Sequence, residues 1–204
     1  MIVLADVGSV QRPDSIIPGF EVVPISFMNE IISFLDFEAS SLSNRSYPIE
    51  VAWSNGDGSI ESHLISPAGI EAWTDWDPEA ERVHGISRRE LVAHGLAPQT
   101  VCDRMIDQLA GKAIYTDAPR FDGAWLQALF SASGRDKSGF NLRNIDDLLV
   151  QTICPDLPSR TQGLLTIEIL KQEARRQNPR RHRANWDVEY LVKLWELARY
   201  HARR

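Results

Sequence analysis

The run Ile31-Ile32-Ser33-Phe34-Leu35-Asp36-Phe37-Glu38-Ala39-Ser40 is apolar, β-branched and aromatic over most of its length, yet carries two carboxylates two residues apart near its end. The composition predicts a buried strand. Side chains alternate across a strand with period two, so Asp36 and Glu38 emerge on the same face. Two anions side by side at the end of a buried strand are destabilising, through desolvation and mutual repulsion, unless a cation balances them. A divalent metal ion is the simplest such balance.

The pattern that follows reads as further strands and then helices. Ser46 to Ser54 predicts a second strand, and Asn55-Gly56-Asp57-Gly58 a turn into a third over Ser59 to Ser66, because Gly and Asn tolerate the positive φ of tight hairpins. These three strands form an antiparallel meander. Ser87 with Glu90 is a capping box before a short helix, and Pro98 to Ala110 is a helix closed by Gly111. A short strand is expected over Lys112 to Thr116, and a helix over Phe121 to Ser133. A helix or strand-helix unit follows over Asn141 to Gln151, then helices from Leu164 to Arg176 and from Ala184 to about Arg199. Strands first and alternating helix and strand later predict an α/β layered domain with one mixed sheet. Residues 1 to 30 differ: Pro13, Pro18 and Pro24 interrupt short apolar stretches and no period is sustained. Residues 1 to 30 are expected to be a loosely docked N-terminal extension, or the first 27 to precede a translation start at Met28, with residues 31 to 204 forming the functional domain.

With 204 residues and 43% hydrophobic content the chain can bury one sizeable core. Its net charge of -6 argues against nucleic-acid binding by bulk positive charge, but the charge is uneven. Residues 171 to 204 hold ten Lys/Arg against four Asp/Glu, a net of +6, which leaves -12 for residues 1 to 170. A basic end on an acidic body fits a polyanion reaching a metal site, and fits a solvated helix equally well. Cys102 and Cys154 form no CxxC and have no histidine at zinc spacing, so both read as packing residues in a reducing compartment. No apolar run approaches the roughly 18 residues of a membrane span. The expectation is a soluble, cytoplasmic protein with no membrane partner.

Two more acids fall where apolar residues belong. Trp125, Leu126 and Leu129 stand three, four and seven residues after Asp122, and Tyr190, Leu191 and Leu194 hold the same spacing after Asp187, so each acid shares the core-facing stripe of its helix. Either alone could be an N-terminal acid favoured by the helix dipole. Four inward carboxylates, Asp36, Glu38, Asp122 and Asp187, with no buried base in the local pattern are best balanced by divalent ions, which prefer hard oxygen ligands. Asp146, Asp147, Glu79, Glu81, Glu189 and Glu196 lie in mixed-charge helical contexts and read as solvated. His182, five residues before Asp187, lies on a loop leading into the acid-bearing helix, where an imidazole can accept a proton near neutral pH.

Taken together these residues resemble the motifs of the DEDDh 3′-to-5′ exonucleases, the group that includes the polymerase proofreading subunit, ribonuclease T and oligoribonuclease. Asp36-Phe37-Glu38 resembles the first motif and Phe121-Asp122 the second, while His182-Arg183-Ala184-Asn185-Trp186-Asp187 matches the third, His-x-Ala-x-x-Asp. Val83-His84-Gly85-Ile86 is a further element of the same kind, and the resemblance runs from about Ile31 to Arg199. It implies an RNase H-like fold with a mixed five-stranded sheet, two Mg²⁺ or Mn²⁺ ions, and release of nucleoside monophosphates from single-stranded DNA or RNA 3′ ends. It further implies that Asp36, Glu38 and Asp187 hold one ion, that Asp36 and Asp122 hold the second, and that His182 is the general base. Ala39, Ser40, Leu42 and His84 would cradle the terminal nucleotide. Two departures stand out: Asp117 lies where many members carry Asn, and Ser40-Ser41-Leu42 replaces the commoner Thr-Gly-Leu. The alternative is a non-catalytic nucleic-acid- or polymerase-binding module that keeps the fold. The resemblance is compatible with a homodimer and with polymerase association, and selects neither.

Overall fold

The protein is described by a computed structural model covering residues 30–153 and 160–203. The first strand, β1 (Ile32–Ala39), takes the centre of the sheet because its two faces are both apolar up to Asp36. It pairs antiparallel with β2 (Pro48–Ser54), which pairs antiparallel with β3 (Ile60–Leu64), giving the expected meander. On its other side β1 runs parallel to β4 (Ala113–Thr116), and β4 parallel to β5 (Leu142–Asn144). The order β3-β2-β1-β4-β5 is a mixed five-stranded sheet flanked by helices: the pattern predicts one mixed sheet, and the resemblance its five strands.

The helices are α1 (Pro78–His84), α2 (Arg88–His94), α3 (Pro98–Leu109), α4 (Pro119–Ala132), α5 (Ile145–Ile153), α6 (Arg160–Gln177) and α7 (Ala184–Ala202). Asn141 to Gln151 resolves into β5 followed by α5. Ser87 caps α2 by accepting the Glu90 N–H at 3.1 Å. The sequence reading did not separate out α1, although Asp77 caps it and Pro78 opens it, both ordinary helix-start chemistry.

Alternation along the strands sorts the core onto two faces. Leu35, Phe37, Ile49, Val51 and Trp53 pack with Met105 and Leu109 of α3 and Leu129 and Phe130 of α4. Phe34, Ala52, Ala113 and Tyr115 pack on the other face with Leu149 of α5 and Val188, Leu191 and Leu194 of α7. Asp36, Glu38 and Glu50 continue that second face, so the row of apolar residues under α7 ends in acids. Cys102 is a buried free thiol, as expected, whereas Cys154 and residues 1–29 of the expected extension lie outside the described residues. Among the described residues no helix is long and apolar enough to cross a membrane.

Candidate active site

Each acid reaches the site by a different piece of backbone logic. β1 delivers Asp36 and Glu38 at its C-terminal end, and the neighbouring parallel strand β4 ends at Thr116, so the crevice beyond the two strand ends opens beside the carboxylates. Asp122 sits in the first turn of α4 and Asp187 in the first turn of α7, where the helix dipole favours anions. Trp125, Leu126 and Leu129 below Asp122, and Tyr190, Leu191 and Leu194 below Asp187, are all buried. The stripes therefore fix both helix orientations, and with them the acids.

These acids converge. Ligand oxygens of Asp36, Glu38 and Asp187 lie within 4.8 Å of one another, and so do those of Asp36, Asp117 and Asp122. Asp36 belongs to both groups. Asp122 is almost fully buried; the Thr116 hydroxyl donates to its Oδ2, and the Phe37 and Ala118 backbones hydrogen-bond its carboxylate. Asp117, the departure noted in the sequence, thus stands in the second group of acids.

The electrostatics are those of crowded, buried carboxylates. Burial, followed by the charges of Asp122, Glu38 and Asp187, raises the Asp36 pKa well above the carboxylate range. Burial likewise lifts Glu38 to about 8, with Asp187 and Glu50 adding to it, and lifts Asp122 to about 7. Asp187 and Asp117 are also raised, again chiefly by burial. An all-oxygen donor set whose members repel one another fits hard divalent ions such as Mg²⁺ or Mn²⁺ and is a poor match for soft ones.

Two clefts meet over these acids. One, of about 350 Å³, is lined by Asp36, Asp117, Asp122, Arg175, Arg181 and Asp187 among others. The second, of about 380 Å³, is lined by Ala39, Ser41, Leu42, Val83, His84 and neighbours. Phe37, Glu38, Leu42, Trp125 and His182 line both. His182 is exposed and adopts φ 62°, the one non-glycine residue in the left-handed region among the described residues; its N–H donates to Asp187 Oδ2 at 2.8 Å. Local strain of this kind gathers at functional positions.

Of the residues expected to cradle a nucleotide, Ala39, Leu42 and His84 line the second cleft, and Leu42 is 76% exposed. Ser40 is placed differently: it is fully buried, its hydroxyl accepts the Tyr47 N–H at 3.1 Å, and it lines neither cleft. Its neighbour Ser41 lines the cleft instead and donates to Asp75. His84 is buried at the end of α1, where Gly85 (φ 71°) turns the chain away. Its Nδ1 accepts the Ile86 N–H at 3.0 Å and burial depresses its pKa, so the neutral ring carries its proton on Nε2. Among the described residues that buried Nε2 has no hydrogen-bond partner, although the His84 side chain lines the second cleft.

Sequence reasoning missed Glu50. It is 2% exposed, stands directly across from Glu38 in the β1–β2 register, and is held by Arg183. A lone acid inside the apolar run Pro48-Ile49-Glu50-Val51-Ala52 was the available signal.

No family profile and no curated protein sequence matches the chain. Solved structures do. Exonuclease I of E. coli in complex with a dT13 oligonucleotide superposes with a TM-score of 0.60 at 16% identity, over 85% of this chain and 42% of that one. The zinc-bound form of the E. coli ExoI–ssDNA complex gives 0.60 at 18% identity, over 85% and 41%. A moderately thermophilic Exonuclease I from Methylocaldum szegediense gives 0.57 at 19% identity, over 84% and 41%. The chain spans about two fifths of the length of these proteins. At this identity the similarity establishes the architecture: the mixed sheet and its flanking helices have the RNase H-like fold of Exonuclease I.

Proposed function

We propose that the protein is a metal-dependent 3′-to-5′ exonuclease of the DEDDh type, which hydrolyses the terminal phosphodiester of single-stranded DNA or RNA and releases nucleoside monophosphates. The observation that carries this reading is the pair of carboxylate groups sharing Asp36, each with oxygens within 4.8 Å of one another. Asp36, Glu38 and Asp187 would hold one Mg²⁺ or Mn²⁺ ion, and Asp36 and Asp122, joined by Asp117, the other. Held there, the ions would lower the pKa of a water and offset the charge that develops on the departing 3′ oxygen.

The chain's own side chains supply the remainder. His182, exposed where the two clefts meet, takes the proton of the attacking water on a ring nitrogen and returns it to solvent. Leu42, Val83 and Trp125 offer apolar surface for the terminal base, and the His84 side chain lines the same cleft beside them. Arg175 and Arg181 flank the Tyr190 ring at 5.8 and 4.5 Å and line the acidic cleft, where they can meet backbone phosphates. Neutralising both should reduce the slope of log binding constant against log salt for a single-stranded oligonucleotide by about 1.4. An unchanged slope would return them to a solvated surface.

A binding module that keeps the fold without chemistry is the weaker reading. Clustered anions facing a polyanion oppose binding unless cations sit between them. The direct test is a 5′-labelled single-stranded oligonucleotide incubated with Mg²⁺. Stepwise shortening from the 3′ end with release of mononucleotides, stopped by EDTA, is expected; an intact substrate would refute the proposal. Matched DNA and RNA strands in parallel identify the preferred sugar.

A further inference from the structure

Glu50 sets up a question the metal site does not answer. It lies across the antiparallel register from Glu38, where two like charges repel, and it helps raise the Glu38 pKa. At 2% exposure it is not relieved by water. Its oxygens are instead taken up by the Ser62 hydroxyl of β3, which donates to Oε1 at 3.3 Å, and chiefly by the start of α7. Arg183 donates from Nε to Oε2 at 3.0 Å and from Nη2 to Oε1 at 2.8 Å, and the Ala184 N–H donates to Oε2 at 3.0 Å.

This arrangement replaces an ordinary helix cap. Arg183 is the N-cap of α7 and makes no side-chain capping bond, so the carboxylate that satisfies the free Ala184 N–H comes from a neighbouring strand. The residue immediately before Arg183 is His182, in the left-handed conformation that a non-glycine residue keeps only when its surroundings enforce it. On one side its N–H is held by Asp187 Oδ2, and on the other Arg183 and Ala184 are clamped by Glu50. Arg181 Nη1 donates to the carbonyls of Asn178 and Arg180, both at 2.8 Å, and ties down the approach.

The geometry points to Glu50 as a positioning residue: through Arg183 and the first peptide of α7 it fixes where the His182 imidazole stands over the two clefts. This assignment rests on the proposed role of His182. Glu50 touches no reacting atom in this account. A fixed fork of two parallel hydrogen bonds constrains the Arg183 backbone in a way that a single point charge would not.

The test is a double-mutant cycle on oligonucleotide hydrolysis, paired with limited trypsinolysis of the metal-free protein. Glu50→Gln should lower kcat by about tenfold and leave KM within about twofold, and the loss should vanish in a His182→Ala background. Arg183→Lys, which keeps the positive charge at the start of α7 but removes the fork, should behave alike. Independently of hydrolysis, Glu50→Gln should accelerate tryptic cleavage after Arg183 severalfold while other sites are unchanged, because the guanidinium is released from its clamp. Wild-type kcat in Glu50→Gln and Arg183→Lys, or an equal loss in the His182→Ala background, would overturn the inference. If the wild-type protein hydrolyses no oligonucleotide, the exonuclease reading fails by itself, and unaltered cleavage after Arg183 in Glu50→Gln would still overturn the clamp.

Discussion

Replacing Asp36 with alanine is expected to lower hydrolysis by at least about 1,000-fold and, at the same time, to raise the thermal stability of the metal-free protein at neutral pH. The first effect follows from position: Asp36 is the acid common to both carboxylate groups, so its loss weakens both proposed ion sites together. About 4 kcal/mol of lost transition-state stabilisation corresponds to such a factor. The second effect follows from repulsion. Asp36 is raised by burial and by Asp122, Glu38, Asp187 and Asp117, so its ionised form is disfavoured in the folded state.

The sign is fixed by linkage. A carboxylate whose folded pKa is raised favours folding below its unfolded value, about 4, and that contribution is lost as pH rises through the folded value. With Asp122 at about 7 and Glu38 at about 8, the metal-free wild type should lose stability between roughly pH 4 and pH 8. Thermal melts in EDTA across that range, for wild type and Asp36→Ala, check this. The variant should show the flatter profile, and Mg²⁺ should restore the wild type alone. A fully active variant, or one that melts lower than wild type at pH 8 in EDTA, would contradict the account.

His182→Ala should reduce turnover by roughly 100-fold or more while oligonucleotide binding survives, because in the proposed reaction the imidazole moves a proton and the residue lies outside both acid groups. The left-handed backbone at this position calls for a companion variant. Glycine adopts φ 62° without steric penalty, so His182→Gly removes the imidazole and relieves the local strain. Both variants should lose turnover alike, with His182→Gly the more stable of the two. Comparable turnover by wild type and either variant, measured under single-turnover conditions, would exclude the role.

The parts of this site that are legible in sequence are those governed by a local period. Asp36 with Glu38 follows from alternation along one strand, and Asp122 and Asp187 from helical stripes whose other members are buried as the spacing implies. The meander of β1 to β3 and the mixed character of the sheet follow from the turn signal and the strand-helix alternation, whereas no local pattern says that β4 joins beside β1. Legibility stops where the period breaks. A register shift between Glu38 and Ala39 interrupts the β1–β2 ladder, so parity no longer says which way Ala39, Ser40 and Ser41 face. Ser40 turns inward to Tyr47 and Ser41 takes the cleft. Glu50 was hidden for a different reason: its partner Arg183 is 133 residues away, and no local pattern links a strand acid to a distant helix cap.

Whether these carboxylates gather divalent ions is read by titration of Mn²⁺ followed by the electron paramagnetic resonance signal of the free ion. Wild-type protein should remove up to two ions per chain from the free pool, and Asp36→Ala should leave that pool nearly intact. Equal uptake by the two proteins, or none by the wild type, would contradict metal binding at these acids.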